Sequence, residues 1–292
     1  MKCIIILSSK SAGSSACQSL LSRLANVRCV AHTRHFENET LYWTKAASIL
    51  GMPQAQMLDS EVPIPTDKAR QDLLRLLSEN LDNYSPPSND RQMIFEGWHR
   101  LCETYAPIFL EKSPHHLFQW SALELIYECV TTLTDIEFFF VGLVRNPMDV
   151  LYSAYNRWKI VPEKFQHEWM ISYQNLLRFE KLIGNRIAIV RYEDMVQDLR
   201  YLHPLFGFMG REIEESAPRD FLHNRSISRW RSDRFYGFSL APEVHALAGS
   251  FGYDNSALDN SSYAFWPLQR NLTRTAFKLI SPVETLIAKL IR

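Results

Sequence analysis

Short β-branched runs alternate with longer stretches whose apolar positions recur every three or four residues through most of the chain. Cys3-Ile-Ile-Ile-Leu-Ser8 predicts a strand, Ser9–Ser15 a loop of small residues, and Cys17, Leu20, Leu21 and Leu24 a helix. A second strand at 27–31 leads through Thr33–Thr40 into a helix ending near Leu50, and Leu73, Leu74, Leu76, Leu77 and Leu81 predict another over 67–82. Asn83–Asp90, with two adjacent prolines, is a turn-rich connector. Strands are predicted at 92–96 and near 107–112, followed by a helix over 115–132. The run from Glu137 to Val144 does not alternate, so it suits a central strand covered on both faces. Helices over 147–159 and 163–183, a strand at 186–190 and a helix from 194 complete the pattern. Strands alternating with helices predict βαβ units and a parallel sheet, an α/β fold.

From Gly210 to Pro267 the pattern breaks down, with one short helix predicted at 242–249. The predicted division is an α/β domain over 1–235 and a flap plus amphipathic helix over 236–292, packed on the same domain. In that last segment Leu272, Ala276, Leu279, Ile280, Val283, Leu286, Ile287 and Leu290 form a helical stripe among Arg270, Arg274, Lys278, Lys289 and Arg292. A basic amphipathic helix packs on its own domain or makes peripheral contact with an anionic membrane.

Composition narrows the class. Of 292 residues, 46% are apolar and 22% charged, which excludes disordered and collagen-like chains. Lys+Arg and Asp+Glu both total 32, so no overall basic footprint points to nucleic acid, and any anion site is local. The five cysteines (Cys3, Cys17, Cys29, Cys102, Cys129) include no C-x-x-C pair, so buried reduced thiols are expected rather than disulfides or a zinc centre. His32-x-x-His35 has loose metal-ligand spacing without an evident third ligand, and no metal site is expected. The start carries too short an apolar run for a signal peptide and no stretch reaches the roughly 18 apolar residues of a membrane span, so a cytoplasmic location is expected.

The loop Ser8-Ser-Lys-Ser-Ala-Gly-Ser-Ser15 leaves a strand and opens a helix, where backbone N–H groups and the helix dipole favour a phosphate. Lys10 adds a point charge, and Ser11, Ser14 and Ser15 add hydroxyl donors beside Gly13. An ordinary serine-rich turn reads the same way, and the loop lacks the Gly-Lys-Ser/Thr ending of the Walker loop. A second element follows the central strand: Arg145-Asn-Pro-Met-Asp149, with Ser153, Tyr155 and Trp158 further along the same predicted helix. Pro147 suits the first helical turn, and Asp149 complements its dipole or pairs with Arg145. Arg145 is thereby predicted at the carboxyl edge of the sheet, where open α/β folds bind ligands.

With these residues together, the sequence resembles the sulfotransferases that use 3′-phosphoadenosine 5′-phosphosulfate (PAPS). Lys10-Ser-Ala-Gly-Ser-Ser15 is similar to the family's 5′-phosphosulfate loop, from which Ala12 departs, and Arg145-Asn-Pro-x-Asp-x-x-x-Ser153 to its 3′-phosphate motif. Arg191-Tyr-Glu-Asp194 resembles a strand-end segment, implying that Tyr192 lies near the adenine. Ser228-Arg-Trp-Arg231 resembles a late segment of bacterial members, implying a second grip on the nucleotide from Arg229 or Arg231. Glu111-Lys-Ser-Pro114 resembles a segment of carbohydrate sulfotransferases in which the lysine, here Lys112, faces the sulfuryl group.

The implied activity is sulfuryl transfer from PAPS, without metal, to a hydroxyl on a saccharide or glycolipid. Lys10 and Lys112 are the candidate cations for charge developing on the leaving phosphate. The resemblance also implies a three-layer α/β fold like that of the P-loop NTPases. It leaves the base open: Glu37 or Glu39 follows the second strand, from which several carbohydrate sulfotransferases project a catalytic glutamate, and His99, after the predicted strand 92–96, is the rival because other members use a histidine. Glu39 could instead balance a helix dipole and His99 be structural, while His115 and His116 read as surface or capping residues. A kinase using ATP and magnesium, and a non-catalytic binding protein on the same fold, are the alternatives.

Overall fold

Five of the apolar runs line up as one all-parallel sheet in the computed structural model, which describes residues 1–35, 37–212, 222, 224–233, 236–260, 271–272 and 275–276. Along the chain β1 (Lys2–Ser8) is followed by α1 (Ser14–Leu21), β2 (Val27–Arg28), α2 (Tyr42–Ile49), α3 (Thr66–Asn80), α4 (Asp90–Thr104) and β3 (Ile108–Lys112). Then come α5 (His115–Phe118), α6 (Trp120–Thr132), β4 (Glu137–Val144), α7 (Pro147–Trp158), α8 (Pro162–Ile183), β5 (Ile187–Arg191), α9 (Tyr192–Gln197), α10 (His203–Met209), α11 (Arg229–Ser232) and α12 (Pro242–Ser250). The chain divides into two compact units, Met1–Arg145 with Glu168–Asn224, and Asn146–His167 with Arg225–Arg292.

The first unit holds the sheet, in the order β2-β3-β1-β4-β5. In the middle strand Cys3 through Leu7 are sealed from solvent, and β4 beside it occupies the non-alternating run. Helices flank this sheet, giving the expected α/β fold. The register pairs Ile6 with Lys112, Ser8 with Leu143 and Val144 with Arg191. The carboxyl ends of four strands therefore share one edge.

Three expectations need correction. Residues 92–96 are not a strand but the start of α4, capped by Asn89, whose side chain accepts from Gln92 N at 3.0 Å. Met93, Ile94, Trp98, Leu101 and Cys102 bury one helical face, which outweighs the local β preference of Met-Ile-Phe. Gly97 lets that face approach closely, since a Cβ there would stand 2.8 Å from Leu77 and from the Tyr42 hydroxyl. The second strand is only two residues long, leaving the described residues of 29–41 irregular. The helix over 115–132 is broken at Gln119, whose side-chain amide bonds both backbone groups of Ala55, at 2.8 and 2.6 Å.

In the second unit Asn146 caps α7 by accepting from Met148 N at 2.9 Å, with Pro147 in the first turn. Asp149 also accepts from Ser228 N at 2.7 Å, fixing the approach to α11, and Tyr152 donates to Asp233 at 3.0 Å. The predicted helical stripe from Leu272 to Leu290 lies outside the described residues apart from 272, 275 and 276. Among the described residues the cysteines are free thiols, and no helix is long and apolar enough to cross a membrane.

Candidate active site

The site is built at the shared strand edge of the first unit. β1 ends at Ser8, and the chain turns through Ser11 (φ 62°) and Gly13 (φ 92°) into α1. Gly13 is the N-cap and offers no side-chain acceptor, and the first turn has no acidic residue, which leaves the helix end suited to an anion. Glycine is required here twice over. Its backbone is left-handed, and a Cβ would stand 2.3 Å from the ring of Tyr192.

Tyr192 opens α9 directly after β5, so its ring comes to the loop from the strand end on the far side of β4. The Arg145 guanidinium lies 4.7 Å from the centre of that ring and donates to Ser11 O at 3.1 Å. Arg145 is 5% exposed, a buried cation at an anion-ready loop. Its own carbonyl accepts from Trp169 Nε1 at 3.1 Å, which fixes the residue at the end of β4.

Lys112, the last residue of β3, faces the same edge from the other side. Its Nζ donates to Glu39 Oε1 at 2.9 Å, to Glu37 O at 2.9 Å and to Ser15 Oγ at 3.3 Å. Lys112 and Glu39 are 0% and 4% exposed in their side chains. His115 Nδ1 stands 3.4 Å from the second oxygen of Glu39. Burial would raise the Glu39 carboxyl, but His115 and Lys112 outweigh it and hold the group down at about 2. His115 is itself pushed down by burial, against the pull of Glu39. The pair is an ionised carboxylate and an ammonium shut off from water together, next to the phosphate-ready helix end.

Lys10 is turned to one side, donating to Leu58 O at 2.8 Å and Asp59 O at 3.0 Å. Burial lowers its pKa, opposed by Glu168, Asp59 and Glu39. Ser14 is buried in the first turn of α1, and Ser15 Oγ lies 3.4 Å from Glu37 Oε2.

Other candidates stand elsewhere. His99 lies on α4, not after a strand, with Nε2 hydrogen-bonded to Asp135 Oδ2 at 2.8 Å, and it takes no part in the Lys112 cluster. In the second unit Ser153 is half-buried on α7, and Arg229 and Arg231 lie on α11. Arg231 packs over Trp230 and is hydrogen-bonded to Ser256 O. The reading of His115 and His116 as surface or capping residues is overturned: they are 7% and 0% exposed, each directed at a buried glutamate.

Residues 3–215 match the model of the sulfotransferase family. The chain belongs to that family. Its fold is similar to the sulfotransferase domain of the curacin biosynthetic pathway, at 18% identity and a TM-score of 0.56, covering 86% of this chain and 97% of that one. It is likewise similar to the sulfotransferase domain of the Synechococcus PCC 7002 olefin synthase, at 18% identity and a TM-score of 0.57, covering 87% and 95%. No curated protein sequence matches it. The activity class of this sulfotransferase is sulfuryl transfer. Sequence reading missed His115 and Glu111 in this sulfotransferase, although both flank Lys112 within Glu111-Lys-Ser-Pro-His-His116 and a run so dense in ionisable groups at a strand end was a usable signal.

Proposed function

We propose that this sulfotransferase moves the sulfuryl group of PAPS to a hydroxyl of a saccharide or glycolipid, with Glu39 as base and Lys112 as the principal cation. The observation that carries the reading is the buried Lys112–Glu39 pair, 2.9 Å apart, reaching Ser15 on the first turn of α1. The saccharide acceptor rests on the likeness of Glu111-Lys-Ser-Pro114 to carbohydrate sulfotransferases.

In this reading Gly13, Ser11, Ser14 and Ser15 hold the 5′-phosphosulfate, and Tyr192 lies along the adenosine. Arg145 grips the 3′-phosphate, and the sequence resemblance alone assigns Ser153 and Arg229 or Arg231 to the nucleotide. The buried Arg145 and the acid-free, glycine-capped start of α1 suit such an anion. Lys112 leaves Glu39 for the sulfuryl oxygens, and Lys10 supports the leaving phosphate. Freed of its lysine, Glu39 gains proton affinity and takes the acceptor proton. The acceptor oxygen forms its bond to sulfur as the sulfur–oxygen bond to phosphate breaks, and the electron pair leaves with the phosphate. Glu39 is favoured over Glu37 because Glu37 offers Lys112 its backbone carbonyl, and over His99 because His99 pairs with Asp135.

Calorimetric titration with 3′,5′-adenosine bisphosphate, beside ADP and ATP with and without magnesium, tests the donor. Metal-independent binding of the bisphosphate, lost in Arg145→Ala, is the expected result and opens an acceptor screen. Preference for ATP with magnesium would transfer the fold to a kinase reading, and bisphosphate binding without turnover on any acceptor to a non-catalytic one.

A further inference from the structure

Beside the Lys112–Glu39 pair lies a second carboxylate that the reaction above does not use. Glu111, 1% exposed, accepts at one oxygen from Thr40 Oγ1 at 2.7 Å and from Ser113 Oγ at 2.6 Å, with His116 Nε2 at 3.4 Å. Thr40 follows Glu39 in the chain, and Ser113 follows Lys112. The same two hydroxyls accept backbone donors: Tyr42 N bonds Thr40 Oγ1 at 3.1 Å, and Leu41 N bonds Ser113 Oγ at 3.0 Å. Leu41 has φ 51°, a left-handed conformation that a branched residue keeps only when its surroundings impose it. One carboxylate oxygen thus ties the loop carrying Glu39 to the strand end carrying Lys112.

A buried carboxylate is costly, and an apolar replacement of similar shape is often at least as stable. Burial raises Glu111, but His116, Ser113 and Thr40 outweigh it and keep it below the usual carboxylate range. His116 is held for this by a 3.0 Å hydrogen bond shared with Thr44 Oγ1. Stability alone does not explain four polar groups spent on an interior charge; the ties to the two reacting residues do.

We propose that Glu111 is the positioning residue of the site, setting the Glu39 carboxylate against the Lys112 ammonium through Thr40 and Ser113. This rests on Glu39 and Lys112 being the reacting pair. Glu111→Gln keeps an oxygen for both hydroxyls and removes only the charge, whereas Glu111→Ala removes the tie. The two act on Glu39 in opposite senses. Loss of a neighbouring negative charge lowers its proton affinity, while drift of Lys112 and His115 away from it raises that affinity.

The test is carbon-13 NMR of the Glu39 carboxyl in the full chain, assigned by its disappearance in Glu39→Gln. Between about pH 4 and pH 6 the signal should be flat in wild type and in Glu111→Gln, and should titrate in Glu111→Ala, its midpoint raised from about 2 by about two units or more. A flat signal in a folded Glu111→Ala overturns the proposal. Should that variant fail to fold, Thr40→Val and Ser113→Ala each cut one tie: an upward shift in either supports the proposal, and no shift in both overturns it. The bisphosphate titration separates this result from the donor reading, because the NMR measurement uses no nucleotide. Its affinity should stay within about threefold of wild type in Glu111→Gln, as for a residue outside the phosphate loop.

Discussion

Glu39 is gripped at both carboxylate oxygens, with Lys112 Nζ 2.9 Å from Oε1 and His115 Nδ1 3.4 Å from Oε2. A carboxylate held this way is ionised but weakly basic, because each neighbour stabilises the charged form. Its basicity rises only when Lys112 is drawn to another anion. In the proposed reaction that anion is the sulfuryl group, so the base is armed by the donor and stays quiet without it.

The pair should show in the pH dependence of folding. The Glu39 carboxyl falls from an ordinary value near 4.5 to about 2 on folding. A depressed folded value contributes stability that is fully present above about pH 4.5 and lost as pH falls toward about 2, on the order of 3 kcal/mol. Urea unfolding of wild type and Glu39→Gln should therefore give a wild-type advantage at pH 7 that shrinks across that window. A difference independent of pH would mean that the pair is not ionised in the fold.

Catalysis should separate from binding at the same two residues. Glu39→Gln removes the base and is expected to lower kcat about 10²–10⁴-fold. Bisphosphate affinity should change little in Glu39→Gln, since Glu39 repels rather than holds an anion. Lys112→Met should lower kcat by at least about 10²-fold and move the acid limb of the rate profile up in pH, because Glu39 loses the lysine that keeps it down. Steady-state rates across pH with an acceptor from the screen, beside calorimetry, check both. Equal losses in affinity and rate would place Glu39 in nucleotide binding instead.

Strands were legible where burial leaves no ambiguity: Glu137–Val144 is apolar without alternation, and β4 occupies that run. Asp90–Thr104 was harder, because Met93-Ile-Phe satisfies both periods and only the Asn89 cap and the later Trp98 and Leu101 decide for a helix. The resemblance offered Glu37, Glu39 and His99 together as bases, and Lys112 through its motif. The pairing of Lys112 with Glu39 was not legible, because it joins residues 73 positions apart. His115 and His116 read as polar residues at a helix start, and their burial follows from the two glutamates that the fold brings to them.

The contact between Gly13 and Tyr192 gives a third prediction. Gly13→Ala forces a side chain into φ 92° and against a ring 2.3 Å away, so Tyr192 must leave the loop or the loop must shift. The left-handed backbone alone costs about 1–2 kcal/mol, and the clash adds to it. Thermal unfolding should show a lower Tm for Gly13→Ala, partly restored by adding Tyr192→Ala, which removes the clash but not the backbone strain. Full restoration would mean that the backbone conformation carries no cost, and no restoration that the ring does not pack there.

Lys45 gives the last. It is buried on α2 and donates to Thr40 O at 2.8 Å, so it holds the same loop that Glu111 holds from the other end of that residue. Burial drops its pKa from 10.5 to about 8. A lysine depressed in the fold opposes folding while it is charged in both states, below about pH 8, and the penalty disappears as pH rises toward about 10.5. Lys45→Met should therefore raise stability at pH 7 by on the order of 2 kcal/mol, less the hydrogen bond to Thr40, with the gain shrinking between pH 8 and pH 10.5. The same variant should slow turnover, because the carbonyl next to Glu39 loses its anchor. Urea unfolding at pH 7 and pH 10, beside the rate, checks both halves. Stability gained without loss of rate would show that Lys45 serves neither the core nor the site.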